Sequence, residues 1–283
     1  MSQLNYRLIS YIIGLLLLFN ATAIFLTSFV SYYFSDGFFS SILKSGFICF
    51  ALGFSIMFFS KNPKKIINRR DGYLVVVIGW LTMVFSGMLP YIFTNTIDNV
   101  PDLIFETMSG YTTTGSSIIS DIEALPESII FWRSMTHWLG GMGIIVLAIA
   151  ILPMLGIGGM QLFSAEAPGS GISGDKIHPR ISNTAKRLWF IYFGLTLLET
   201  LLLNIAGMSF FDAINHSMSN IATGGFSTKN DSLSFWNSMP QIQYIIIFFM
   251  ILAGTNFLLI YLSLIGKFKK LFYNTEFIWF LGL

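Results

Sequence analysis

Two polar stretches, each caught between apolar runs long enough to cross a bilayer, limit what this chain can fold into. The first runs from Asp102 to Asp121 (DLIFETMSGYTTTGSSIISD) and the second from Asp212 to Asp231 (DAINHSMSNIATGGFSTKND). Aligned without gaps and 110 residues apart, they match at eight of 20 positions: Asp102/Asp212, Ile104/Ile214, Met108/Met218, Ser109/Ser219, Thr113/Thr223, Gly115/Gly225, Ser117/Ser227 and Asp121/Asp231. Each copy opens with a short helix, expected near 101–112 and 211–222, and then turns Thr- and Gly-rich, too polar to face lipid. A duplicated membrane unit is the reading that accounts for both the match and the flanking apolar runs.

Those runs number seven, near 8–34, 38–60, 72–95, 128–160, 187–209 and 240–266, with a seventh beginning near 275. The chain is only 11% charged, against about 25% in an ordinary soluble domain, and its mean hydropathy is +0.71, which excludes a soluble fold. The expected class is an all-α polytopic membrane protein. Ala21-Thr22-Ala23 after an apolar run imitates a signal-peptide cleavage site, but Ile24 to Phe34 continues apolar, so a retained helix is expected. The lone Cys49 permits no internal disulfide and is read as packing.

Thirteen of the 16 basic residues fall on one side if the segments alternate: Arg7, the cluster Lys61, Lys64, Lys65, Arg69 and Arg70, then Lys176, Arg180, Lys186 and Arg187, then Lys267, Lys269 and Lys270. The positive-inside rule makes that side cytoplasmic, with the N-terminus on it. Most acids, including Asp36, Asp98, Asp102, Glu106, Asp121, Glu123, Glu127, Asp212 and Asp231, fall on the other. Both repeated stretches therefore leave and return to the outer face, dipping into the membrane between.

A membrane-depth turn of Thr, Gly and Ser offers carbonyls and hydroxyls but no fixed charge, which suits a dehydrated alkali cation. Gly115 and Gly225 allow the φ > 0 that lets neighbouring carbonyls share one side, and Thr113, Thr114, Thr223 and Gly224 present them. The short helices would aim C-terminal ends inward, each about half a negative charge. An anion pore would instead need Arg or Lys rings or inward N-termini. Potassium over sodium does not follow from these residues alone.

Four motifs, SGYTTTGSS at 109–117, WLGGMG at 138–143, LPMLGIGGM at 152–160 and ATGGFST at 222–228, occur in order along the chain. They resemble the Trk-type bacterial potassium-uptake proteins, in the TrkH branch of the Trk/Ktr/HKT superfamily. The resemblance implies four helix–pore loop–helix repeats around one potassium filter, preceded by two extra helices. It places the filter on Thr113, Thr114, Gly115, Thr223, Gly224 and Gly225. Expected units are 1–67 (two transmembrane helices), 68–165 and 166–270 (two pore repeats) and 271–283 (the start of a third). Only two of four repeats are present, so a fragment is expected; two such chains meeting as 2 + 2 is the alternative.

The resemblance further implies potassium as the transported substrate, uptake across the bacterial inner membrane, no organic cofactor and a cytoplasmic nucleotide-binding regulatory subunit of the TrkA type. The bilayer and a second copy in a homodimer complete the expected partners; a net charge of +2 points to none, and no nucleic acid is expected. Whether transport is channel-like or proton-coupled stays open, as do a sodium-permeable cation channel and a non-conducting membrane anchor. No enzyme is expected: HExxH is absent, and the Gly-Asp pair at 174–175 sits in a cytoplasmic loop. The GSGISG run at 169–174 fits G-x-G-x-x-G but follows a membrane helix, so it reads as a turn.

Four further residues carry readings. Glu199 is an intramembrane acid, either functional or hydrogen-bonded at a helix interface. Arg133 pairs with acids at the pore mouth or snorkels to the interface. His137 and His216 are placed near the outer face. His216 stands where the first copy has Glu106, which reads as a position inessential to the shared mechanism.

Overall fold

Backbone groups in hydrocarbon must find partners within their own segment, and the long apolar runs meet that demand as helices. The structure, a computed structural model, describes residues 4–61, 69–155 and 180–282. Helices α1 (Tyr6–Phe34) and α2 (Phe39–Phe59) form a hairpin. It closes tightly because Gly14 and Gly53 face each other: a Cβ on Gly14 would stand 2.9 Å from the Gly53 carbonyl oxygen. Helices α3 (Arg69–Gly87) and α4 (Leu89–Thr94) follow through Met88 as one apolar rod, Arg70–Thr94, with Pro90 in the first turn of α4.

The two short helices are α5 (Val100–Tyr111) and α8 (Phe210–Ile221), 12 residues each, about 18 Å long and too short to cross a hydrocarbon core of ~30 Å. Between them lie α6 (Glu127–Leu155) and α7 (Arg180–Ile205). A 3₁₀ turn (Ser232–Trp236) leads to α9 (Pro240–Gly254), α10 (Phe257–Leu264), α11 (Lys269–Phe272) and α12 (Thr275–Gly282). Among the described residues, four helices, Tyr6–Phe34, Phe39–Phe59, Arg70–Thr94 and Arg187–Ile205, are long and apolar enough to span a membrane. The described residues contain helices and no strand. This is an all-α, multi-pass membrane protein.

One expected segment is two helices. The 240–266 run breaks after Gly254, where Thr255 turns extended (ψ 140°) and its hydroxyl donates to the Ile251 carbonyl at 2.7 Å. Asn256 then opens α10, its carbonyl accepting the Leu259 amide at 2.8 Å. Gly-Thr-Asn is a run of weak helix formers whose side chains compete for backbone partners, which apolar character alone does not register. The Gly156–Gly159 cluster, the 169–174 run, Lys64, Lys65, Lys176 and His178 lie outside the described residues.

Both short helices start and return at one end of the bundle. The Asn5 amide donates to Asp71 at 3.1 Å, so α1 and α3 start together and run in parallel; Asn20 of α1 accordingly meets Ser86 of α3 at 2.8 Å. Helix α5 therefore begins where α1 finishes. At that same end the Ser128 amide, opening α6, donates to Asp36 at 3.1 Å, and Phe34 packs on Phe211 of α8 with ring centroids 4.9 Å apart. Helix α6 lies in the middle, against α1, α3, α4, α5, α7 and α8.

Candidate functional site

The chain leaves α5 and α8 through two turns that repeat each other atom for atom in the backbone. Thr113 and Thr223 donate to the carbonyls of Gly110 and Asn220 (3.1 and 2.8 Å). Thr114 and Gly224 donate to those of Ser109 and Ser219 (3.0 and 2.8 Å). These bonds close the last helical turn and throw Thr113 and Thr223 into the left-handed region, at φ 54° and 56°. Gly115 and Gly225 follow at φ 77° and 96°, while Thr114 and Gly224 between them keep negative φ. A uniform strand points successive carbonyls to opposite sides, whereas reversing φ at every second residue turns them to one side. A β-branched residue at positive φ is a strained conformation, costing ~1–3 kcal/mol, and here it occurs twice at matched positions.

The two turns also meet. A Cβ on Gly115 would overlap the Gly224 carbonyl oxygen, so glycine is required there for space as well as for φ. Gly224 itself is pressed against the His137 ring, which explains why the second copy has glycine where the first has Thr114. No charged side chain belongs to either turn; the negative ends of α5 and α8 abut them directly. The chemistry on offer is a set of carbonyl dipoles on two strained, touching strands.

Side chains brace these turns from behind. Ser109 donates to the Ser116 carbonyl at 2.5 Å, and Ser219 accepts from the Gly225 amide at 3.1 Å. Ser219 is held in turn by His137 Nδ1 at 2.9 Å, and the His137 ring stacks on Phe226 with centroids 3.9 Å apart. The buried guanidinium of Arg133, one turn earlier on α6, lies 4.2 Å over the same Phe226 ring and is neutralised by Glu106, Nε to Oε1 2.9 Å. Ser117 joins that pair, receiving Arg133 Nη2 at 3.0 Å and donating to Glu106 Oε2 at 3.0 Å. At the returning ends Asn230 bridges the copies: its amide donates to Asp121 at 2.9 Å, and its oxygen accepts the Ile122 amide at 2.7 Å. Lys229 pairs with Glu123 at 3.3 Å beside it.

All six residues singled out for the ion, Thr113, Thr114, Gly115, Thr223, Gly224 and Gly225, fall in these adjoining turns. Arg133 does pair with an acid, Glu106, but as a buried pair behind the turn. His137 is buried within α6, against the second of the two turns. Positions 106 and 216 share a contact despite their unlike side chains: each reaches the matched serine eleven residues on, Glu106 to Ser117 and His216 Nε2 to Ser227, both at 3.0 Å. The signal was present in the identity of Ser109/Ser219 and Ser117/Ser227; unlike side chains at 106 and 216 hid it.

The TrkH cation transport protein family matches residues 39–280. The Trk system potassium uptake protein TrkH of Escherichia coli strain K12 is 40% identical over 282 residues, 99% of this chain and 58% of that protein. TrkG of the same organism is 34% identical over 221 residues, 78% of this chain and 45% of that protein. The crystal structure of the potassium transporter TrkH from Vibrio parahaemolyticus superposes with a TM-score of 0.85 at 35% identity, covering 98% of this chain and 56% of that one. The chain thus spans 52–58% of the length of the TrkH relatives it matches. With two strained, paired turns of matched sequence and a family match over most of its length, this chain belongs to the TrkH family of cation transport proteins.

Proposed function

We propose that the protein takes part in potassium uptake through a carbonyl-lined selectivity filter, to which this chain contributes Thr113–Gly115 and Thr223–Gly225. The observation that carries the reading is the doubled alternation of φ, at Thr113 and Gly115 and again at Thr223 and Gly225, on strands that touch at Gly115 and Gly224. Carbonyls gathered on one side replace the hydration shell of a monovalent cation, and the C-terminal ends of α5 and α8 lower its energy on the approach. Units 68–165 and 166–270 act as two pore repeats behind the helices of 1–67.

The names of the relatives, potassium uptake proteins of a Trk system, support potassium as the cargo and a multi-component assembly. The protein works in the bacterial inner membrane with its N-terminus in the cytoplasm, as a homodimer docked to a nucleotide-binding regulatory subunit of the TrkA type. Transport is channel-like or proton-coupled, needs no organic cofactor and involves no enzymatic step. Rubidium uptake by a potassium-starved host expressing the intact protein tests this. Gly225→Ser should let sodium compete with rubidium. Selectivity identical to the wild type in that variant overturns the filter assignment, and no rubidium uptake by the wild type leaves a membrane anchor.

A further inference from the structure

The second turn has a support that the first lacks. Glu199, fully buried on α7, accepts a hydrogen bond from Asn220 Nδ2 at 2.6 Å through Oε1, and its Oε2 has no hydrogen-bond partner among the described residues. Asn220 is the penultimate residue of α8 and joins three elements. Its side-chain amide reaches both Glu199 and the Ile246 carbonyl of α9 (3.2 Å), while its own carbonyl receives the Thr223 amide at 2.8 Å, the bond that sets Thr223 at φ 56°. The matched position in the first copy is Gly110. There α5 lies so close to α6 that a Cβ would overlap the Thr136 hydroxyl, which leaves no room for a side chain like that of Asn220. The inner end of α8 is instead held by a polar strut running from α7.

We propose that Glu199 is a positioning residue for the second filter strand, acting through Asn220 to hold the turn at Thr223 and so to set ion selectivity. The proposal rests on the filter reading above. A strut requires an acceptor at Glu199 Oε1 and a donor at Asn220 Nδ2, and no net charge. A carboxylate acting as a proton relay requires the ionisable group itself. The glutamine variant separates the two.

Rubidium uptake by the intact protein, with potassium and sodium as competitors, is measured for Glu199→Gln, Glu199→Leu, Asn220→Ser and the Leu/Ser double variant, alongside the amount of protein in the membrane. Glu199→Gln should keep the wild-type order of competition. Glu199→Leu and Asn220→Ser should each raise the KM for potassium at least about threefold and let sodium compete. The double variant should be no worse than the poorer single one, because the two residues act through one bond. If Glu199→Leu does not accumulate, Asn220→Ser, a smaller polar side chain at a half-buried helix end, carries the same reading. The proposal falls if Asn220→Ser keeps wild-type selectivity, or if Glu199→Gln is as impaired as Glu199→Leu. Absence of rubidium uptake in the wild type overturns the filter reading, and the proposal with it; uptake in the wild type with unchanged variants overturns the strut alone.

Discussion

Glu106 and His216, a carboxylate and an imidazole 110 residues apart in sequence, make the same contact. Each reaches from its short helix to the serine eleven residues on, Glu106 Oε2 to Ser117 Oγ and His216 Nε2 to Ser227 Oγ, both at 3.0 Å. Each serine also accepts an amide two residues further along, from Ile119 and from Lys229 (3.1 and 3.0 Å). The two copies share the serine and its bond, while the partner on the helix differs. In the first copy that partner is a carboxylate, and Arg133 supplies its countercharge.

Removing either serine should therefore loosen a returning strand, by unequal amounts. Ser227→Ala strips one bond from a buried imidazole, a loss of ~1–3 kcal/mol for a buried group left unpaired. Ser117→Ala strips bonds from both members of a buried ion pair and should cost more. Thermal unfolding of the purified protein checks the order, with the Ser117→Ala melting temperature expected to be the lower. The reverse order would count against the two serines having equivalent roles.

The ion pair itself makes a sharper test. With Glu106→Gln, Arg133 keeps its charge, buried over Phe226 and directly behind the proposed filter turn. An uncompensated buried charge costs ~3–5 kcal/mol, whereas replacing both partners by neutral groups of similar size is often near neutral. Glu106→Gln should accordingly lower both stability and rubidium uptake, and the further change Arg133→Met should restore part of each. A double variant that loses as much as the two single variants together would mean that the pair is not coupled.

A pH effect is expected at the loop joining α1 and α2. Burial pushes the Asp36 carboxyl up, but hydrogen bonds from Ser128 and Ser31 and from the Phe38 amide outweigh it and hold the group below its ordinary value. A carboxyl depressed on folding contributes stability that is present above the unfolded value of about 3.9 and is lost as pH falls through the folded one. Asp36→Asn should lower the melting temperature at neutral pH, and the gap to wild type should narrow on acidification below about pH 4. A gap independent of pH would show that the amide substitution, not the charge, sets the difference.

How far the fold and the site could be read in advance follows from what each depends on. The two short helices were placed within a residue or two, because Pro101, Asp102 and Asp212 mark helix starts locally and the polar Thr/Gly runs end them. The turns were legible for the same reason: a membrane-depth glycine flanked by threonine has few uses, and its recurrence at Gly115 and Gly225 supplies the rest. The bracing was not legible. Glu106 and Arg133 are 27 residues apart, and His137 and Ser219 are 82 apart, so nothing in hydropathy or spacing joins them. The break at Thr255 was missed because Ala253, Gly254 and their neighbours satisfy an apolar window whether or not the helix is continuous. Preference for potassium came from resemblance, since carbonyls alone do not rank it above sodium.

Gly115 and Gly225 look interchangeable in sequence, but the structure separates them, and that difference is testable. Both sit at positive φ, where an added Cβ costs ~1–2 kcal/mol. At Gly225 nothing lies within 4 Å of that Cβ, so Gly225→Ala should bear the conformational cost and little else. At Gly115 the Cβ would run into the Gly224 carbonyl oxygen, which must move, and the Gly224 backbone is already confined by His137. A distortion begun in the first strand would thus pass into the second. Gly115→Ala should depress rubidium uptake and its selectivity over sodium by a clearly larger factor than Gly225→Ala, at matched amounts of protein in the membrane. Equal impairment, or a milder effect at Gly115, would show that the two strands do not constrain each other through this contact.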